Sequence, residues 1–477
     1  MIENIEELKL SESYSFDVNV EYENSHYAAE LNLTPRRIKL KVVAEGSEER
    51  KFKLAWKDID TLTCHKLNTT FLLVGLKLIS GKNSTIERYP KQRSYFESVY
   101  EVEHAIYFTT FVGHKPLFSG IDIRSETIAT WVGGTVNQEK IIQEYYAGAT
   151  LHDHPELLEE FSTPIADEGL IGIGYNLSIF YSPPEYKAGL TFPPSLTVRF
   201  VNPSDPAKTI EFMEELYTLF SFITGDEVEI EIITFLYNGS GFGLQNSPTI
   251  YYPRDKYPRR GVHRPILFPL SRNLRFNQLG LPEFPLGALG AYFALSKQER
   301  QHFEKYVRYR RLSNIEERFL GYFRILETLC FKERFYFDET ALQKLADRAK
   351  PYLVKYFNDA KSVASFIKRL PKFNASKYNT ERCIQDYFET IPKEISGKWE
   401  YQKGNISSIC KLRNDISHAN NYNVDQLTIK KMVAFVETLL VFSLFEKLGI
   451  NIGSESNILN RFGGYSLVIK REVPKSS

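Results

Sequence analysis

The sequence predicts an α+β multidomain protein, with a β-rich antiparallel N-terminal part followed by an α-helical bundle. Three observations carry that reading. Short runs of β-branched and aromatic residues, broken by turn formers, fill the chain to about residue 290. From about Ser296 the hydrophobic period changes to that of a helix. Near the C-terminal end, "VDQLTIKKMVAFVETLLVFSLFEKLG" is apolar almost all round in its middle, the mark of a central bundle helix. A chain of 477 residues has room for roughly two to four domains. The expected division is a β-rich part over 1–290, with a subdivision near 205, a helical domain over 291–455 and a tail over 456–477.

The elements follow in order. "RIKLKVVAEGSEERKFKLAW" (37–56) places two strand-like runs around a Glu-Gly-Ser turn and reads as a hairpin. "TFLLVGLKLISG" (70–81), "YEVEHAIYF" (100–108), "IDIRSETIATWVGG" (121–134) and "SLTVRFVNP" (195–203) read as strands, and their spacing favours an antiparallel sandwich or barrel. "TIEFMEELYTLFSFITG" (209–225) has helical spacing and a glycine stop, after which "EVEIEIITFLY" (227–237) returns to strand. Residues 246–290, rich in Pro and Gly, read as long loops or a linker. "SNIEERFLGYFRILETLCFKE" (313–333) opens with Ser313 and Glu316 at capping-box spacing, and Ile315, Phe319, Phe323, Leu326 and Cys330 share one face. Further helices are expected near 339–350, 352–370, 380–391, 404–418 and 424–448.

Composition narrows the function classes. Net charge is +1, so contact with nucleic acid must come from local basic patches. Four scattered cysteines, with no CxxC pair, argue against a disulfide framework or a zinc site and suit a reducing cytoplasm. "MIENIEELKLSESYSF" has acidic residues where a secretory signal needs a basic start, and Met432–Leu448 is too short and too charged to span a bilayer. The expectation is a soluble cytoplasmic protein with no membrane contact. "LHDHPE" (151–156) offers His152, Asp153 and His154 but no further ligand, so no metal and no cofactor are expected. No P-loop, no GxGxxG opening a helix after a strand and no GxSxG elbow is present.

One stretch carries candidate chemistry: "CKLRNDISHANN" (410–421). At 100° per residue Ile406, Ile409, Leu412 and Ile416 gather on one face, Arg413 falls at its flank, and Asn414 and His418 project together from the other side. An ordinary structural account exists. A histidine in the last turn suits the helix dipole, Asn420 or Asn421 can take a left-handed cap, and an arginine beside an apolar stripe lays its stem on it. Spacing alone does not separate the two.

Context does. Arg413-Asn414-x-x-x-His418, ending a helix in an all-α C-terminal domain and followed by a long hydrophobic helix, resembles the HEPN superfamily, whose R-x(4–6)-H motif marks metal-independent endoribonucleases. The helix containing "RFLGYFRILETL" resembles the opening helix of the ApeA-like HEPN group, and the two-part layout is similar to that of ApeA anti-phage defence proteins. The resemblance implies an HEPN-type bundle and an RNase, with tRNA as the candidate target. Arg413 and His418 would be catalytic, with cleavage by 2′-hydroxyl attack and no cofactor. It also implies a homodimer or higher even assembly that pairs two motifs, and a phage-derived trigger sensed by the N-terminal part. His418 would exchange protons near neutral pH, and the Arg413 fork would grip phosphate oxygens. Asn414 would orient the phosphate or His418. Asp415 reads as a cation partner or a solvated residue, and Glu327 as a supporting group or as the partner of a nearby arginine.

Two basic stretches are RNA-contact candidates. "YPRDKYPRRGVHRP" (252–265) holds Arg254, Lys256, Arg259, Arg260 and Arg264 among aromatic residues, and "EKYVRYRR" (304–311) holds Arg308 and Arg311. Each reads equally as a solvated segment. Two other functional classes stay open: a non-catalytic HEPN protein that binds a nucleotide or RNA or senses a ligand as a dimer, and a β-sandwich ligand-binding protein whose helices only mediate dimerisation.

Overall fold

The computed structural model describes residues 5–23, 25–46, 57–88, 91–112, 116–148, 154–166, 168–182, 187–237, 247–254, 265–270, 281–332, 337–374, 380–451, 453 and 456–470. The chain divides into two compact units, Met1–Lys297 and Gln298–Ser477.

In the first unit, β1 (Tyr14–Tyr22), β2 (Ser25–Thr34), β3 (Arg37–Gly46), β4 (Ile59–Lys66), β5 (Thr69–Arg88) and β6 (Lys91–Phe108) pair in the order β3-β2-β1-β4-β5-β6. Pairing of β3 with β6 closes them into an antiparallel barrel. Closure removes the exposed edges that an open sheet would carry. Period-two burial fills it: Phe16, Val18 and Val20 on β1, Leu31 and Leu33 on β2, and Ile38, Leu40 and Val42 on β3. On β5 the buried positions move from Phe71 and Leu73 to Leu76, and the change of phase occurs at Gly75, where φ is +71°.

Strand β6 is 18 residues long because it serves two sheets. One of its edges pairs with β5, while the other pairs with β3 over residues 94–102 and with β14 (Thr249–Tyr251) over residues 105–107. From β14 a second, open antiparallel sheet continues through β13 (Ile230–Tyr237), β7 (Phe118–Ser125), β12 (Pro194–Ser204), β9 (Gly169–Tyr175) and β8 (Glu159–Ile165). A separate two-stranded ladder joins β10 (Ser178–Ser182) to β11 (Lys187–Thr191). Helices α1 (Glu126–Val132), α2 (Val136–Tyr146), α3 (Pro206–Thr224) and α4 (Gly287–Ala294) complete the unit. Asp205 caps α3 by accepting from Lys208 N–H, Pro206 takes its first turn, and Gly225 ends it at φ +75°.

One expectation for this unit changes. The run 121–134 is not one strand: β7 stops at Ser125, whose hydroxyl accepts from Ile128 N–H and starts α1. Apart from β14 and the start of α4, the described residues of 246–290 are loops, one of the two arrangements expected there. Among those described, Ile250, Tyr251, Tyr252, Ile266, Leu267, Phe268, Leu270 and Phe284 are buried, and Phe268 accepts the Trp131 indole N–H at 2.9 Å. The second run of the expected 37–56 hairpin lies outside the described residues, and both edges of β3 are taken by β2 and β6.

The second unit is helical: α5 (Lys297–Arg310), α6 (Ile315–Cys330), α7 (Glu339–Phe357), α8 (Ala360–Asn374), α9 (Thr380–Thr390), α10 (Lys393–Ser396), α11 (Ile406–Ser417) and α12 (Gln426–Lys447). Helix α12 is buried from Met432 to Val436 and from Thr438 to Phe445, lies along α6, and forms the axis of the bundle. Helices α9 and α11 pack on α6. Trp399 closes one end, edge-on to Phe435 and Phe442, with its indole N–H donating to Tyr465 Oη at 3.1 Å. Two local expectations change here. The cap of α6 is Asn314, not Ser313, its side chain accepting from Glu316 and Glu317 N–H. The 339–374 segment breaks not at Pro351, which α7 carries internally, but at Asn358, where φ is +52°. Among the described residues, no helix is long and apolar enough to cross a membrane.

Candidate active site

Helix α11 starts from a short turn in which Gln402 N–H donates to Asn405 Oδ1 at 2.8 Å. Ile406, Ile409 and Leu412 are buried and fix its rotation, with Ile416 half-buried behind them. That leaves Arg413 at the edge of the buried face and Asn414 and His418 exposed, the arrangement the periodicity predicts.

Arg413 is held on three sides. Its Nη2 donates to Glu327 Oε2 on α6 at 2.9 Å, its Nη1 donates to Asn414 Oδ1 at 3.0 Å, and its Cζ lies 5.5 Å from the centroid of the Phe323 ring. Glu327 is fixed in turn, its Oε1 accepting from the Thr380 hydroxyl at 2.6 Å. Arg413 and Glu327 side chains are 28% and 32% exposed, so the pair is half-wet and open on one side. A guanidinium carries five N–H donors, and two bonds within the chain leave others for an external oxyanion.

The helix ends at His418, whose N–H donates to Asn414 O at 3.0 Å. The left-handed position falls on Ala419 at φ +54°, not on Asn420 or Asn421. A side chain there is strained by about 1 kcal/mol or more, and the strain sits beside the candidate proton carrier. Asp415 is engaged by Asn420, accepting at its backbone oxygen (2.9 Å) and at Oδ1 (3.3 Å), and so fastens the turn instead of meeting a cation. Beyond it Tyr422 donates to Glu316, tying the loop back to α6.

Cys410, one turn before Asn414, has its thiol pushed up to about 12, chiefly by burial, with Glu381 and Glu327 raising it and Arg413 lowering it. It is a neutral thiol at cellular pH and a poor nucleophile. Arg413 and His418, five residues apart, lie roughly 140° and about 7 Å apart around and along an ideal helix. One copy therefore turns its arginine toward α6 and its histidine toward solvent.

The structure brings Arg413, Asn414 and Glu327 together. Phe323 and Thr380 join them without having been singled out by sequence. Phe323 stood in the apolar stripe, but Thr380 is 53 residues from Glu327, and no local pattern signals it. Arg254, in the first unit, faces Glu229 at 3.5 Å, and its N–H donates to Pro35 O. Lys256, Arg259, Arg260 and Arg264 lie outside the described residues. Arg308 is exposed over the Tyr309 ring, and Arg311 is half-buried. Of "LHDHPE", His152 and Asp153 lie outside the described residues, and His154 meets Glu156 at 3.2 Å.

Comparison with protein families gives two matches that together span most of the chain. Residues 14–279 match the model described as ApeA N-terminal domain 1, and residues 296–453 match that described as Apea-like HEPN. No curated protein and no solved structure matches.

Proposed function

Because the chain belongs to the ApeA family of HEPN-domain anti-phage proteins, we propose that it is a defence endoribonuclease that cleaves RNA at Arg413 and His418 without a metal. RNA supplies its own nucleophile, the 2′-hydroxyl. Cleavage then requires a proton acceptor, a proton donor and a cation for the phosphorane-like transition state. An exposed imidazole at the end of α11 fits proton transfer, and a guanidinium aimed by Glu327, Asn414 and Phe323 fits the anion. The products would be a 2′,3′-cyclic phosphate and a 5′-hydroxyl. The guanidinium held by Glu327, Asn414 and Phe323 on the helix that ends in the exposed His418 carries this reading.

A single copy offers one histidine, turned away from its arginine. The reading therefore includes a homodimer, or a higher even assembly, in which two α11 ends face each other across a two-fold axis. The N-terminal unit would restrain the nuclease in the cytoplasm until a phage-derived signal arrives, and tRNA is the candidate target. A non-catalytic HEPN protein that binds RNA is the second reading. The single exposed His418, turned away from its arginine, favours it, because one copy lacks the second acid–base group that cleavage needs.

The test is RNA cleavage in EDTA by purified wild type and His418→Ala. The proposal expects a loss of about 100-fold or more in the variant, the usual contribution of a positioned acid–base group, with an unchanged melting temperature because His418 is exposed. Co-expressing the two copies should suppress activity beyond dilution. Full activity in His418→Ala, or cleavage that requires a divalent metal, would overturn it, and no cleavage with or without metal would favour the binding reading.

A further inference from the structure

The α7–α8 hairpin takes no part in the site above. Of residues 339–374 only Ala346, Val363, Ile367 and Asn374 are buried. Its small core is internal: Leu353, Val354 and Leu370 pack on Ala346, Val363 and Ile367. Asn374 joins the ends of the hairpin, its amide bonding Phe337 N–H and C=O, each at 2.9 Å.

Charge is concentrated here. The segment has eight lysines and arginines against three acids, a net +5 in a chain whose total is +1. Two of the three carboxylates are occupied locally, Asp359 accepting from Ser362 N–H and Asp347 from the Gln343 amide, each at 3.0 Å.

Helix periodicity sorts the exposed residues into basic rows and an aromatic strip. Lys344, Arg348 and Lys355 on α7, and Lys361, Lys368 and Lys372 on α8, lie opposite the buried stripe of their own helix, so the two basic rows face outward on opposite sides of the hairpin. Tyr352 and Tyr356 on α7, and Phe366 and Phe373 on α8, lie to one side of that stripe. Two right-handed helices packed antiparallel through a two-residue link carry that flank on the same face of the hairpin. These four rings are 68%, 71%, 51% and 56% exposed, and Tyr352 and Tyr356 are already stacked, their centroids 6.2 Å apart and their planes at 21°.

An exposed aromatic face with a basic row along its outer side suits a phosphate backbone whose bases are free to stack. We propose that the α7–α8 hairpin is an RNA-capturing arm. The α7 row of Lys344, Arg348 and Lys355 tracks phosphates beside Tyr352 and Tyr356, the aromatic face receives unpaired bases of a loop or single strand, and the α8 row adds positive charge on the far side. A second copy docked through the same face would set +5 against +5, so the charge favours RNA over self-association. The proposal rests on the reading of this chain as RNA-acting, but not on cleavage.

The experiment uses full-length protein carrying His418→Ala, so that binding can be read whether or not the wild type cuts RNA. A fluorescein-labelled RNA stem-loop is titrated by anisotropy across a salt series. Arg348→Glu with Lys355→Glu should weaken binding by about tenfold or more and lower the log–log salt slope by about 1.4, roughly 0.7 for each lost phosphate contact. Tyr352→Ala with Tyr356→Ala should weaken binding by about tenfold and leave the slope unchanged. Wild-type affinity in both variants, with circular dichroism showing them folded, would overturn the proposal. A tyrosine variant that lowers the mass in light scattering while binding RNA normally would also overturn it, and would make the flank a contact between copies.

Discussion

Two carboxylates in the helical unit make the useful contrast. Glu437 on α12 accepts from Tyr322 Oη at 2.9 Å and Tyr306 Oη at 3.2 Å. Both rings are almost fully buried, and so is Arg310 beside them. Burial raises the Glu437 pKa above its ordinary value of 4.5, with Tyr322, Arg318, Arg310 and Tyr306 pulling it back. Glu327 on α6 instead meets Arg413 and Thr380 at a surface about one-third exposed. The first cluster joins three helices where water is scarce, and its cost is borne for packing order. The second holds a cation at the edge of water, where a ligand can compete for it. One helix bundle thus places the same residue type once in its core and once at a half-exposed candidate site.

Breaking the inner cluster should have the largest effect. Glu437→Ala leaves the buried Tyr322 hydroxyl without its acceptor and opens a void, a loss of about 2–4 kcal/mol in chemical denaturation. Activity should fall only as the folded fraction falls. Glu437→Gln refines the contrast through pH. A carboxyl whose folded pKa is raised contributes stability at low pH and loses it as pH rises through that folded value. Wild-type stability relative to Glu437→Gln should therefore decline as pH climbs above about 4.5, as followed by urea midpoints across a pH series. A flat difference would mean that the group titrates as it does in water.

Much of this second unit was legible locally. The stripe of α6, the all-round burial of α12 and the edge position of Arg413 follow from a 3.6-residue period, because each face packs along its whole length. Pro351 misled because its missing N–H usually ends a helix, whereas here the left-handed Asn358 does so. In the first unit the spacing left sandwich and barrel open, and the pairing that closes the barrel was not legible. It joins Ile38 to Val102 across dozens of intervening residues, and alternation fixes which face is buried but not which strand is the neighbour. That Glu327 meets an arginine was among its expected roles, but that the arginine is Arg413 was hidden, since the two are 86 residues apart and each reads alone as an edge residue.

Arg413→Lys should come next in size, and it should move activity alone. The lysine keeps the charge but loses the fork, the bond to Asn414 and the planar contact with Phe323. About 1–3 kcal/mol of transition-state stabilisation, roughly 5- to 150-fold in single-turnover rate, should disappear while the urea midpoint holds. If the midpoint shifts as it does for Glu437→Ala, the outer cluster is structural too and the contrast fails.

Glu327→Gln should give the smallest change, and its sign says most about how the outer cluster works. The amide keeps an acceptor oxygen near Arg413 and a partner for Thr380 but gives up the charge. A half-exposed ion pair contributes about 0.2–1 kcal/mol at most, so melting should barely move. Cleavage can go either way on physical grounds. If the carboxylate aims the guanidinium at the phosphate, removing its charge lets Arg413 wander among rotamers, and the rate falls about two- to fivefold. If instead the carboxylate holds the guanidinium back from phosphate, removing the charge frees it, and the rate rises. Three contacts from three directions, with Thr380 fixing the second oxygen of Glu327, describe a side chain that is aimed rather than restrained, so the expected result is the fall. The double variant Glu327→Gln with Arg413→Lys should then be no slower than Arg413→Lys alone, because a lysine has no fork left to aim. A rise in rate, or losses that simply add, would show that Glu327 acts on something other than the orientation of Arg413.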